Sequence, residues 1–355
     1  MACGYIAFKE LGISIGKYYA YEIDKYAVQT SSYNFPDIEH KGNVFNADFS
    51  QYKNIDWLIG GSPCTYWSIA QKSSTRETEA SGIGWELFSQ YVRALNQASP
   101  KYFIYENNKS MSNRIKESIS ATFGFEPICI NSALVSAQNR QRLYWVGRRN
   151  PDGTYSQVPV EQPEDRGILL RDILESGVCL TEKSYTLKAQ YYKNGMANFV
   201  TNGVAESVRI GTIENGAKNP SHDSKQYRVY SPYGKSVTLC GNGGGAGAKT
   251  GLYAIPVEYK GEEPTKAISN TTGQTYTVYK VINGEITIKG RKYPIKLKDG
   301  YYIIRKLTVN ECKRLQTVPE WYEFPVSDTQ AYKMLGNGWT VNVIKHLIKA
   351  VRKEN

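Results

Sequence analysis

Short apolar runs alternate with helix-compatible spacing over residues 1 to about 147. Lys17 to Glu22 (KYYAYE), Asp56 to Gly60 (DWLIG), Tyr102 to Glu106 (YFIYE) and Ile128 to Val135 (ICINSALV) are short and rich in aromatic and β-branched residues, which predicts strands. Between them, segments such as Trp85 to Ala98 carry apolar residues at helical intervals. That alternation predicts an α/β domain with a parallel sheet, whose ligands gather beyond the carboxyl ends of the strands. From Arg148 to about Tyr301 the texture changes to Gly, Asn, Thr, Tyr and Lys with short alternating runs, which predicts a second, β-rich lobe. Helical spacing returns after Arg305, in Glu311 to Leu315 ahead of Pro319 and then in Gln330 to Lys353, broken at Gly336-Asn337-Gly338. The expected organisation is an α/β domain over 1–150, a β-rich lobe over 151–302, and C-terminal helices over 303–355 that return to the first domain.

A chain of 355 residues can bury a substantial core. Its formal charge of +11 suits a polyanionic partner, because Lys and Arg laid against phosphates release condensed counterions. The six cysteines are scattered without a C-x-x-C pair and only three histidines accompany them, so no metal and a reduced, cytoplasmic setting are expected. No run reaches the ~18 apolar residues of a membrane helix.

The sharpest local feature is Gly60-Gly61-Ser62-Pro63-Cys64-Thr65-Tyr66-Trp67-Ser68, a Gly-rich turn that leaves an apolar strand and presents a thiol at its carboxyl end. A lone cysteine is more often a small buried hydrophobe. Here the Gly-Gly-Ser-Pro frame at a strand end favours a nucleophile. About forty residues on, Tyr105-Glu106-Asn107 ends the next strand with a carboxylate on the same sheet edge. Gln138-Asn139-Arg140-Gln141-Arg142 then supplies two arginines at alternating positions, on one strand face.

These elements, in this order, resemble the DNA (cytosine-5) methyltransferase family of bacterial and phage type, with its P-C, E-N-V and Q-x-R-x-R motifs. Arg305-Lys306-Leu307-Thr308 through Pro319, and Gln330-Ala331-Tyr332-Lys333-Met334-Leu335-Gly336-Asn337, are similar to its last two blocks. Arg228-Val229-Tyr230-Ser231, Ser236-Val237-Thr238-Leu239 and Gly243-Gly244-Gly245 are similar to the end of its target-recognition region.

The resemblance implies a Rossmann-like S-adenosylmethionine-dependent sheet with a target-recognition lobe, acting on flipped cytosine in duplex DNA. It implies Cys64 as the nucleophile that attacks C6, because C5 alone is a poor nucleophile. A free thiol near pKa ~8.5 is mostly protonated, so Arg140 is expected to supply positive charge. Glu106 is expected to give a proton at N3, and Arg142 to hold the cytosine O2. For the methyl donor, Glu22 is expected at the ribose hydroxyls with Ile23 beside it, Asn43 and Val44 near the adenine, and Asn337 at the methionine end. Gly4, Ser62, Pro63 and Leu87 complete that set. Ser68, Gln226, Arg228, Thr238 and Gly243 to Gly245 are expected at the DNA, and Lys289 to Lys306, with seven basic residues against Asp299, is a candidate track for its backbone or a solvated ribbon face. A cognate restriction endonuclease is a candidate partner.

The chain departs from the family at its start. The family opens on a strand reading D-L-F-x-G, and only the following Met1-Ala2-Cys3-Gly4-Tyr5-Ile6 matches. Loss of a central strand is expected to expose apolar neighbours and weaken S-adenosylmethionine binding, so Met1 is read as an internal methionine of a longer protein or as the start of a degraded gene. The competing reading is an impaired member that acts as a DNA-binding or regulatory subunit. A tRNA-specific relative would carry a shorter segment between about 155 and 300. A zinc deaminase needs H-x-E and P-C-x-x-C, whereas Pro63-Cys64 runs into Thr65-Tyr66-Trp67. An amino-group methyltransferase needs a Pro-Pro, and none occurs.

Overall fold

The computed structural model describes residues 1–63, 66–68, 73–175, 209–212, 228–231, 234, 236, 252–257, 265–268, 275–288, 290–305 and 307–353. Cys64, Gln226, Thr238 and Gly243 to Gly245 lie outside these residues. The chain forms two compact units. The first holds Ala2–Asn131, Gln141–Pro163 and Val341–Asn355, and the second holds Met1, Ser132–Arg140 and Glu164–Thr340. The segment 132–140, expected in the α/β domain, thus clusters with the second unit, and the C-terminal return begins at Val341 rather than 303.

In chain order the first unit contains α1 (Cys3–Glu10), β1 (Tyr18–Ala20), α2 (Lys25–Asn34), β2 (Ile38–His40), β3 (Trp57–Gly60), α3 (Gly82–Ala98), β4 (Tyr102–Asn108), α4 (Asn113–Phe123), β5 (Ile128–Asn131), β6 (Gln141–Arg149) and β7 (Tyr155–Gln157). Local chemistry sets these boundaries. Asp24 caps α2 by accepting from the Tyr26 and Ala27 N–H groups, and Ser112 caps α4, which ends at Gly124 with φ +84°. Helix α3 buries Phe88, Tyr91 and Leu95 against Phe103, Tyr105, Phe123 and Trp145, while Ala94 packs with Phe49 and Tyr52. Strand β4 is buried from Phe103 through Asn108, as a central strand covered on both faces must be.

The sheet is mixed, which corrects the expectation of a parallel one. β1 pairs parallel with β2, and β3 pairs parallel with β4. β6, however, lies antiparallel to β4 and β5, and β7 antiparallel to β6. The cause is the link from β5: the predicted strand to Val135 stops at Asn131, and only a single 3-10 turn, Ser132–Leu134, precedes β6. A parallel crossover needs a dozen or more residues, usually a helix.

The second unit contains β8 (Arg209–Thr212), β9 (Arg228–Tyr230), β10 (Leu252–Pro256), β11 (Lys266–Ile268), β12 (Thr275–Ile282), β13 (Glu285–Ile288), β14 (Arg291–Pro294), β15 (Gly300–Arg305), α5 (Val309–Leu315) and α6 (Asp328–Asn337). Among the described residues these strands run in the order β14-β13-β12-β15-β10-β9-β8, with β11 on β12. Their shared core is Ile210, Val229, Leu252, Ala254, Val281, Ile286, Ile295 and Tyr302. The β12–β13 hairpin turns on Asn283 and Gly284, both at positive φ, as a two-residue Asn-Gly turn requires. Last in the chain, α7 (Val341–Lys353) buries Val343, Ile344, Leu347, Ile348 and Val351 and packs with α1 in the first unit.

Candidate active site

The first unit brings the turn after β3 against the end of β4. Gly60 is paired with Tyr105, so Gly61 and Ser62 lie beside Glu106 and Asn107. A Cβ on Gly61 would collide with the Glu106 carbonyl oxygen, which is why the turn carries glycine at that position. Ser62 is buried. Its Oγ lies 2.6 Å from the Tyr105 hydroxyl, and Asn107 Nδ2 donates to both the Ser62 carbonyl, at 3.2 Å, and Ser62 Oγ, at 3.1 Å. Burial pushes the Tyr105 phenol well above its ordinary pKa, so it stays a neutral O–H able to take part in this network. On the far side of the loop, the fully buried Trp67 donates from its indole N–H to Glu77, which also accepts from the Gly84 N–H at the start of α3. Both flanks of the segment that carries Cys64 are therefore anchored, although Cys64 is outside the described residues.

Glu106 and Arg142 meet as expected. Arg142 Nε lies 3.0 Å from Glu106 Oε1, and both side chains are largely buried. They share one face of the β4–β6 pair, since Arg142 stands opposite Asn108, two residues beyond Glu106. Arg142 also donates to the Gln141 carbonyl. The motif reading assigns Asn107 no role, yet this side chain ties the Ser62 turn to β4. The signal was its place beside Glu106 on the opposite strand face.

The expected cofactor residues in this unit follow the ends of successive strands. Glu22 and Ile23 come just after β1, Asn43 and Val44 just after β2, and Ser62 and Pro63 just after β3. Glu22 Oε1 accepts from the backbone N–H groups of Ile23 and Asp24, each at 2.8 Å. That arrangement orients the carboxylate and leaves Oε2 without a partner among the described residues. Ile23 is 75% exposed, an apolar side chain held in water beside that carboxylate. Asn43 caps a 3-10 turn by accepting from the Phe45 N–H, and the Val44 carbonyl accepts from Arg93 of α3 at 2.9 Å. Leu87 is half-buried on α3, and Gly4 is buried in the first turn of α1. Ser68 is half-buried.

Arg140 and Asn337 belong to the second unit. Arg140 is buried, and its Nη2 donates to the carbonyls of Gly336, at 3.2 Å, and Gly338, at 2.9 Å. It thus fixes the backbone on both sides of the exposed Asn337. Gln316 adds donations to the carbonyls of Leu335 and Gly338. Arg228 is half-buried on β9. In the basic run, Arg291, Lys292, Lys296 and Lys298 are exposed, whereas Arg305 is buried and bonded through both Nη atoms to Glu311. Arg305 is therefore structural and no part of a phosphate track. No group of three or more metal-ligating side chains occurs among the described residues, and no described helix is long and apolar enough to cross a membrane.

The profile of the C-5 cytosine-specific DNA methylase family matches residues 3–353. The chain belongs to that family. It is similar to an orphan methyltransferase, M.SPRI, of Bacillus phage SPR, with 25% identity over 97% of this chain and 93% of the relative. It is also similar to the type II methyltransferase M1.ScrFI of Lactococcus lactis subsp. cremoris, with 29% identity over 91% of this chain and 68% of the relative. The fold matches that of the S. pombe Dnmt2 methyltransferase with a TM-score of 0.58 at 12% identity, covering 99% of this chain and 96% of that one. The chain thus has the α/β fold with a β-rich lobe of this methyltransferase family, whose methyl donor is S-adenosylmethionine. The Glu22 carboxylate, held through Oε1 with Oε2 unpartnered among the described residues and an exposed apolar Ile23 beside it, has the chemistry to accept hydrogen bonds from a ribose diol next to a base.

Proposed function

We propose that this chain methylates C5 of a cytosine flipped from duplex DNA, through a covalent bond between Cys64 and C6. The observation that carries the reading is the buried Glu106–Arg142 pair at the carboxyl end of β4, set against the glycine turn that leads into Cys64. In this mechanism the Cys64 thiolate forms the sulfur–C6 bond while N3 takes a proton from Glu106, and the C5=C6 pair becomes available at C5. When bound, S-adenosylmethionine supplies the methyl as an electrophile. The C5 proton then leaves to solvent, its electron pair restores C5=C6, Cys64 leaves as thiolate with the C6–S pair, and N3 returns its proton to Glu106. Arg142, held by Glu106, has guanidinium N–H groups left to hold O2 of the ring. Glu22, Ile23, Asn43, Val44, Pro63 and Leu87 would hold the donor, with Asn337 at its methionine end; Gly4 and Ser62 shape the backbone around it. Arg140 acts here as a positioning residue for Asn337.

Ser68, Arg228, Gln226, Thr238 and the Gly243 to Gly245 turn would contact the DNA. The reading carries with it a cytoplasmic setting in a prokaryotic or phage-infected cell, and a restriction endonuclease of matching specificity as a counterpart. The test is incubation with S-adenosylmethionine and duplex DNA containing 5-fluorocytosine, which cannot lose its C5 substituent. A denaturation-resistant adduct is expected, absent in Cys64→Ser and about 10²- to 10⁴-fold slower to form in Glu106→Gln. DNA binding without any adduct would overturn the catalytic reading in favour of a regulatory subunit.

A further inference from the structure

Downstream of Cys64 the chain returns at Glu77 to the point it left at Tyr66. The Tyr66 carbonyl accepts from the Glu77 N–H at 2.9 Å, and the Trp67 indole N–H donates to Glu77 Oε2 at 3.0 Å. The same carboxylate reaches α3, where the Gly84 N–H donates to Oε2 at 3.1 Å and to Oε1 at 3.3 Å. Gly84 is the third residue of a helix whose N-cap, Ser81, makes no side-chain hydrogen bond and whose first turn holds no acid. Glu77 therefore supplies from outside the helix what a capping side chain supplies from within, an acceptor for an orphan N–H and negative charge at the positive end of the helix dipole. The glycines that open α3 leave room for it. A Cβ on Gly84 would collide with the Trp67 indole, which is fully buried, and one on Gly82, whose φ is +78°, would collide with the Glu77 carboxylate.

The two residues after Glu77 are tied to a third element. Ser112, the cap of α4, donates from Oγ to the Thr78 carbonyl, and Arg114 in the first turn of α4 pairs with Glu79. Helix α4 follows β4, the strand that carries Glu106. The Arg114–Glu79 pair is exposed and contributes little energy, so the bond that matters is the one between Glu77 and the buried Trp67.

We infer that Glu77 is a positioning residue for Cys64. Its carboxylate fixes the downstream end of the nucleophile segment to α3 through Trp67, as Asn107 and Tyr105 fix the upstream end at Ser62. The inference rests on the methyl-transfer reading and deepens it. Ser62 stands two residues before Cys64 and Trp67 three residues after it, so two fixed points set where the sulfur can lie. Releasing the second leaves β3, β4, Glu106 and Arg142 in place and frees only the thiol's approach to the ring, where a displacement of about 1 Å can cost about 10²-fold in rate.

The test is the rate of adduct formation with saturating 5-fluorocytosine duplex and S-adenosylmethionine, measured beside duplex affinity and the urea midpoint. Trp67→Phe keeps an aromatic ring in its cluster, removes the indole N–H and leaves Glu77 to cap α3. Glu77→Ala removes both contacts. Each is expected to slow the adduct by about 10²-fold with duplex affinity unchanged, and the double variant to be no slower than Glu77→Ala, because the two residues form one contact. Ser81→Asp in the Glu77→Ala background re-caps α3, which should return the urea midpoint toward that of the unsubstituted chain while the rate stays slow. A rate that recovers with the midpoint would make Glu77 a helix cap only and overturn the inference, and so would Trp67→Phe at full rate. In both cases the unsubstituted chain still forms the adduct, and the methyl-transfer reading stands. No adduct from the unsubstituted chain would overturn that reading and this inference together.

Discussion

At the scale of single residues, Glu106 and Arg142 could be read from the chain because each sits at a strand end in a motif of fixed order. Their contact at 3.0 Å follows from the β4–β6 register. Asn107 could not be read in the same way, since nothing along the chain says that a strand-end amide will face a serine 45 residues earlier. Its role is positional. Asn107→Ala removes the donor to the Ser62 carbonyl and the acceptor of the Asn108 N–H, and is expected to cost about 1–3 kcal/mol in urea unfolding. By displacing the turn that carries Cys64 it should slow adduct formation by about 10²-fold, with duplex affinity unchanged. A parallel loss of DNA affinity, measured by anisotropy, would mark Asn107 as merely structural. Gly61 belongs to the same scale, and its reason is the Glu106 carbonyl lying where a side chain would begin.

At the scale of elements, the strands at Trp57, Tyr102 and Ile128 and the helix ending at Ala98 agree with their hydrophobic spacing. Their pairing did not follow from spacing, because the antiparallel turn of β6 depends on a link too short for a crossover. The buried ion pair at the β15–α5 junction was likewise concealed within a basic run. Glu311 accepts from Arg305 at 2.6 and 2.7 Å, from the Thr308 N–H at 2.8 Å in a capping box, and from the Glu175 N–H at 3.0 Å. Glu311→Ala leaves a buried guanidinium without its counter-charge and uncaps α5, so a loss of about 3–5 kcal/mol is expected. Double substitution with Arg305→Met should recover part of it in the same denaturation assay.

At the scale of the whole molecule, a charge of +11 and the exposed Arg291, Lys292, Lys296 and Lys298 direct attention to the phosphate backbone. Duplex affinity should fall by at least about tenfold between 50 and 200 mM salt, with a linear log–log slope set by the phosphates neutralised. A flat salt response in a filter-binding or anisotropy titration would remove the electrostatic account of binding. The amino-acid sequence by itself determined the family, the order of the chemical motifs and the helices and strands that carry them. Those depend on residue type and short-range periodicity, which are written along the chain. Only the tertiary structure decided that Asn107 braces the Ser62 turn, that Arg140 grips the carbonyls either side of Asn337, that Arg305 is spent on Glu311, and that the sheet is broken between β1 and β3. Apart from the Arg305–Glu311 pair, which lies within six residues, these join or separate segments far apart in sequence, and their energy exists only once backbone hydrogen bonds and burial have fixed which segments meet.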